Sequence, residues 1–128
     1  MLLGQVQHNL DEKGRIVLPA VFREQLDGQL YLALGENNEL GLWPEAAFVE
    51  KMNHKQGKEL ESAEAAREFA RFTAYSGLAR MDAQFRIALP EKLREKAGLE
   101  RHRPLVLVGM RTRIAIWDAE RFEEYVDA

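Results

Sequence analysis

A nine-residue stretch that occurs twice constrains this chain more than any other feature. Residues 11–19 read Asp-Glu-Lys-Gly-Arg-Ile-Val-Leu-Pro, and residues 82–90 read Asp-Ala-Gln-Phe-Arg-Ile-Ala-Leu-Pro. Asp, Arg, Ile, Leu and Pro recur at an offset of 71, and Arg23-Glu24 matches Arg94-Glu95 at the same spacing. The match resumes at an offset of 74, with Leu34-Gly35 against Val108-Gly109, Leu42-Trp43 against Ile116-Trp117, and Phe48 against Phe122. The change of offset places three extra residues in the second copy, around Leu99–Arg103. Agreement over about 40 positions, Trp, Pro and Gly among them, marks a tandem duplication, and a repeat constrains the fold before any local pattern does.

One copy of about 45 residues is too small to bury a core comfortably by itself. The 128 residues together suit one compact domain, or two subdomains sharing a core. Both copies read in the same order. Short strands at Gln5–Leu10 and Leu78–Met81 lead into the Asp-x-x-x-Arg turns. In the first turn, Asp11 opens and Gly14 closes, which fits a type I turn followed by a left-handed glycine. Arg15–Leu18, alternating around Ile16 and Leu18, is the expected return strand. Pro19 and Pro90 then open short helices, where a missing N–H costs nothing, and Gly98 suits the end of the second. Leu30–Leu34 with Leu40–Trp43, and Leu105–Val108 with Ile114–Trp117, read as hairpins. Helices are expected over Pro44–Met52 and Asp118–Val126, with Asp118 as an N-cap. Trp43 and Trp117, duplicated at strand ends, read as core.

Asn53–Gly77 belongs to neither copy. Within it, Glu59–Phe72 is rich in Ala and Glu and predicts a linking helix, docked by Phe69, Phe72 and Tyr75 and either simply solvated or engaged in subunit contacts. The division that follows is 5–47 for the first repeat, 48–76 for the helical linker, 77–120 for the second repeat and 121–128 for the end of the last helix.

Composition narrows the function. No Cys is present, which excludes disulfide scaffolds, Cys-ligated zinc and Cys nucleophiles. His8, His54 and His102 lie on unrelated segments without metal-ligand spacing. Ser62 and Ser76 lie outside any Gly-x-Ser-x-Gly, and no Gly-rich phosphate loop occurs. The expectation is a chain that is not an enzyme, with no cofactor, no metal and no small-molecule substrate. No apolar run approaches the roughly 20 residues that span a bilayer, so no membrane partner is expected. The N-terminus lacks the basic and apolar regions of a secretory signal, which makes the cytoplasm the default compartment.

The two Asp-x-x-x-Arg turns, each followed by Ile-x-Leu-Pro, resemble the MraZ family of bacterial transcriptional regulators. Asn9-Leu10, the linker segment Ala66-Arg67-Glu68-Phe69-Ala70-Arg71-Phe72 and Ile116-Trp117-Asp118 extend the resemblance over about residues 1–126. It implies an α+β fold: a pseudo-dimeric, swapped-hairpin, AbrB-like β-barrel built from the two tandem repeats, with flanking and linking helices. It also implies a cytoplasmic, nucleoid-associated protein that assembles into a homo-oligomeric ring. Such a protein binds duplex DNA at short, repeated G-rich promoter boxes of the division and cell-wall gene cluster, chiefly as a repressor. An antitoxin-like module, binding a partner protein as well as DNA through the same barrel, is the alternative.

Carried over position by position, the resemblance makes Lys13, Arg15 and Arg86 the DNA-binding residues, with Asp11, Gly14 and Asp82 supporting the turns. Arginine offers a fork for guanine O6 and N7, and lysine a point charge for phosphate. The competing reading pairs each arginine with the Asp four residues earlier. Both hold if Asp11 orients Arg15 toward a base edge. The second copy has Gln84 in place of Lys13 and Phe85 in place of Gly14. A bulky residue is uncommon in a left-handed conformation, so a differently shaped second turn is expected, with most specific contacts left to the first. The net charge of −3 argues against a basic, nonspecific binder. Residues 1–52, 53–77 and 78–128 carry −4, 0 and +1. DNA contact must then be local, and multiplied by assembly.

Overall fold

A computed structural model describes all the residues, Met1 to Ala128. The first copy comprises β1 (Gln5–His8), β2 (Arg15–Val17), α1 (Ala20–Arg23), β3 (Leu30–Leu34) and β4 (Leu40–Pro44). Two helices follow, α2 (Glu45–Gly57) and α3 (Ala63–Ala74). The second copy comprises β5 (Gly77–Ala79), β6 (Arg86–Ala88), α4 (Glu91–Ala97), β7 (Leu105–Gly109), β8 (Ile114–Asp118) and α5 (Ala119–Val126). The fold is mixed α+β, with the element order of one copy repeated in the other.

The two copies exchange strands. β1 of the first pairs antiparallel with β7 of the second, Val6 opposite Leu107. β5 of the second pairs with β3 of the first, Tyr31 opposite Leu78. β2 and β6 form a separate two-stranded ribbon, Ile16 opposite Ile87. The simple hairpin expected from Gln5–Leu10 returning along Arg15–Leu18 therefore does not form. The turn between them is kept, but its two arms leave for different partners. Nor do the strands form one closed ladder: the six-stranded sheet runs β1-β7-β8-β4-β3-β5, with β1 and β5 at its two edges.

Burial explains the exchange. Ile16 and Ile87 are fully buried at the centre of the ribbon, each covering the other. With Leu18, Phe22, Leu89 and Leu93 they join one core drawn from both copies. Neither copy could bury these side chains alone. The other face of the sheet carries two matched satellites: Ala33, Trp43, Phe48 and Phe72 in one, and Val106, Val108, Ala115 and Trp117 in the other. Both tryptophans are buried, as their duplication suggests.

The helices differ from expectation at their ends. α2 continues past Met52 to Gly57. The linking helix starts at Ala63 rather than Glu59, because the Ser62 hydroxyl caps it by accepting the Ala65 N–H at 3.0 Å. Phe72 docks α3, edge-on to Trp43 at 6.5 Å between ring centres and stacked on Phe48 at 5.8 Å. Tyr75 packs at the margin of the main core, while Phe69 stays half-buried. Gly98 ends α4 in the left-handed conformation, φ +66°. Asp118 caps α5 by accepting the Arg121 N–H at 3.1 Å.

Candidate nucleic-acid interface

Each Asp-x-x-x-Arg turn is built around its carboxylate. In the first, Asp11 Oδ1 accepts the backbone N–H groups of Lys13 and Arg15, both at 2.9 Å, and Oδ2 accepts Arg15 Nε at 2.7 Å. The Gly14 N–H donates to the Asp11 carbonyl, and the Asp11 N–H to the Arg15 carbonyl, both at 3.0 Å. The second turn reproduces this. Asp82 Oδ1 accepts the Gln84 and Arg86 N–H groups at 2.9 Å, and Oδ2 accepts Arg86 Nε at 2.7 Å. Hydrogen bonds to the carboxylate favour its charged form. Both aspartates are held below the ordinary carboxylate range, mainly by the backbone N–H of Arg15 and of Arg86, respectively.

Contrary to the expectation from Phe85, the two turns have the same shape. Phe85 sits at φ +62° where Gly14 sits at +75°. Two features compensate its strain. The Asp82 carboxylate fixes the backbone on both sides, and the Arg23 guanidinium lies over the Phe85 ring, 4.0 Å from its centre. At the first turn the matching arginine, Arg94, lies across Gly14, where a β-carbon would stand 2.7 Å from Cζ. Arg23 and Arg94 are equivalent positions of the repeat, and each covers the turn of the other copy. The backbone crosses over in the same way: Leu18 N–H donates to the Phe85 carbonyl at 2.8 Å, and Leu89 N–H to the Gly14 carbonyl at 3.0 Å.

The ribbon between the turns alternates. Ile16 and Ile87 face the core, which leaves Arg15, Val17, Arg86 and Ala88 on the outward face. Arg15 stands opposite Ala88 and Arg86 opposite Val17. From strand geometry, the Arg15 and Arg86 α-carbons are about 8 Å apart. Each arginine is paired to its aspartate through Nε alone, so the pairing orients the side chain without consuming its outer nitrogens. The outer nitrogens of Arg15 make no bond within the chain, whereas Arg86 Nη2 donates to Gln84 Oε1 at 3.0 Å. Pairing with aspartate and a free guanidinium edge thus coexist, most fully at Arg15. Lys13 is exposed and makes no ion pair.

Sequence reasoning missed the arginines brought from a distance. Arg101 Nη1 donates to the Glu12 carbonyl at 2.9 Å, across 89 residues. It comes from the insertion that distinguishes the second copy, and that uniqueness is its only trace in the sequence. Arg23 and Arg94 were visible as a matched pair, but not as covers for the opposite turns.

One cleft away from the ribbon is filled by charges that pair or bond within the chain. A cleft of about 170 Å³ beside the β3–β4 turn is lined by Glu36, Lys55, Arg71 and Arg113, among others. Lys55 pairs with Glu36 at 3.3 Å, Arg71 bonds the Gly35 carbonyl and Asn38, and Arg113 lies 4.9 Å from the Trp43 ring centre. No group of three His, Cys, Asp or Glu side chains is placed to hold a metal ion, and no helix is long and apolar enough to cross a membrane.

Comparison with known proteins converges on one family. A family model described as "MraZ protein, putative antitoxin-like" matches residues 1–72 and 77–128. A transcriptional regulator MraZ from Syntrophomonas wolfei is 38% identical over 128 residues, covering 98% of this chain and 86% of its own. The protein of the same name from Moorella thermoacetica is 38% identical over 127 residues, with the same coverage. That from Cutibacterium acnes is 37% identical over 129 residues, covering all of this chain and 89% of its own.

Proposed function

The chain belongs to the MraZ family of transcriptional regulators and is not an enzyme, and from that premise we propose that it binds duplex DNA in a sequence-specific way through the outward face of the β2–β6 ribbon. The observation that carries this reading is the pair of arginines on that face, each held by an aspartate through Nε, with the outer nitrogens of Arg15 unbonded and Nη2 of Arg86 donating to Gln84. A two-stranded ribbon fits the major groove, and a free guanidinium edge matches guanine O6 and N7. A separation of about 8 Å corresponds to two or three base-pair steps at about 3.4 Å each, the scale of a short box. Arg15 and Arg86 read bases, and Lys13 contacts phosphate. Asp11, Gly14 and Asp82 hold the turns.

The finer reading rests on the family resemblance. The boxes are repeated and G-rich, they lie upstream of the division and cell-wall gene cluster, and the protein acts there as a repressor in the cytoplasm at the nucleoid. With a net charge of −3 and no basic arm, one chain offers few phosphate contacts. A ring of subunits engaging successive boxes supplies the avidity. Gel-shift titration against a tandem G-rich duplex tests this. Arg15→Ala should abolish preference for the box while native mass measurement shows the assembly intact; unchanged affinity for the box removes the site assignment.

The matched family description also favours a second reading, an antitoxin-like module that binds a partner protein in addition to DNA. Co-purification of a small protein at fixed stoichiometry would support it.

A further inference from the structure

We propose that the first Asp-x-x-x-Arg turn carries a phosphate-binding subsite assembled from both halves of the chain, Lys13 from the first and Arg101 from the second, and that the second turn has no counterpart. The inference rests on the DNA-binding reading above and specifies which part of the ribbon face holds the phosphodiester backbone.

Three observations lead to it. Arg101 is exposed and forms no ion pair, and its one bond is to the Glu12 carbonyl at 2.9 Å. That bond fixes the head group beside the turn and leaves the remaining N–H donors of the fork open. A guanidinium already anchored loses less freedom on meeting a phosphate than a free side chain would. Lys13, the next residue after Glu12, is likewise exposed and unpaired. The turn's own aspartate is engaged within the turn, its oxygens accepting the Lys13 and Arg15 N–H groups and Arg15 Nε, and neither cation is paired with it.

The second turn lacks every part of this. Gln84 stands in place of Lys13 and bonds Arg86 instead. The first copy has no equivalent of the insertion that carries Arg101. The arginine that does reach the second turn, Arg23, is stacked over Phe85. Lys13 and Arg101 thus have no counterparts at the second turn.

A phosphate contact and a base contact leave different signatures. Each phosphate neutralised adds about 0.9 to the slope of log K against log salt, whatever the sequence. The full-length protein is titrated against a tandem G-rich duplex and a scrambled duplex over a salt series, as wild type, Arg101→Gln, Arg101→Lys, Arg15→Ala and, as a distant control, Arg113→Gln. Arg101→Gln should weaken binding to both duplexes by the same factor and flatten the slope by about 0.9 per engaged subunit. Arg101→Lys should restore the slope, and Arg113→Gln should change nothing. An unchanged slope in Arg101→Gln, with box preference lost in Arg15→Ala, overturns this inference alone. A loss in Arg101→Lys equal to that in Arg101→Gln also overturns it, since Arg101 would then merely brace the turn. Full box preference in Arg15→Ala overturns the assignment of base reading to the ribbon face, on which this inference rests.

Discussion

The guanidinium of Arg94 lies across the α-carbon of Gly14: a β-carbon there would stand 2.7 Å from Cζ and 2.9 Å from Nε, so the arginine head would have to shift to admit one. Arg94 is itself held, with Nε donating to the Leu89 carbonyl at 2.9 Å. Gly14 thus meets two constraints at once, its φ of +75° and the arginine head above it. Gly14→Ala should cost about 1–2 kcal/mol from the left-handed backbone, plus the displacement of Arg94. Chemical denaturation should show a lower midpoint with an unchanged slope. Phe85→Gly at the matching position should change stability by less than about 1 kcal/mol. Relief of strain is offset there by unfolded-state entropy and by the lost contact with Arg23.

Ile16 and Ile87 face each other with no exposure at the centre of the ribbon. Either one changed to Ala should cost about 2–5 kcal/mol, the range for a large buried aliphatic. The double variant should cost less than the two together, because both truncations open onto one shared cavity. Strict additivity in a double-mutant cycle would contradict the direct packing.

Phe72 is the anchor by which α3 reaches Trp43 and Phe48. Phe72→Ala should cost about 3 kcal/mol and let water reach the Trp43 ring. Trp117 lies in a separate cluster, stacked by Tyr125 at 4.8 Å. In a Trp117→Phe background, Phe72→Ala should shift the remaining tryptophan emission to longer wavelength. In a Trp43→Phe background it should not.

Acid should unfold the chain through three aspartates. The Arg103 side chain holds the Asp118 carboxyl below its ordinary range, as the Arg15 and Arg86 backbone N–H groups do for Asp11 and Asp82. A depressed folded-state pKa contributes stability that is present above the unfolded value and lost as pH falls through the folded one. Stability measured by denaturant at successive pH values should thus be flat near neutrality and decline below the ordinary carboxylate pKa. Asp118 is buried and bonded to Arg103 at 2.9 and 3.2 Å, so Asp118→Asn should flatten the decline most. Asp11→Asn and Asp82→Asn should matter less, because those pairs are partly solvated.

Much of this is legible in the sequence for a physical reason. Alternation, Pro, Gly98 and Asp118 act within a few residues of themselves, and the duplicated Trp43 and Trp117 report a shared environment. Strand exchange leaves no such trace: nothing local in Gln5–His8 says that it pairs with Leu105–Val108. The expectation of a distorted second turn rests on the ordinary cost of a bulky residue at positive φ. The fold overrides that cost with Asp82 on one side of Phe85 and Arg23 on the other. Arg101 could not be connected to Glu12 without the insertion's path through space.

Fusing the two halves also frees them from copying each other. In a symmetric dimer every substitution appears twice, so both ends of a ribbon must change together, and such a dimer suits a palindrome. Here Gly14 beneath Arg94 and Phe85 beneath Arg23 differ while the backbone keeps its two-fold plan. The ribbon has gained a polarity. On the DNA-binding reading proposed above, a ribbon laid in a groove would have a head and a tail, and would tell a box from the same box reversed. Successive subunits following one another in the same sense would then meet direct repeats rather than inverted ones.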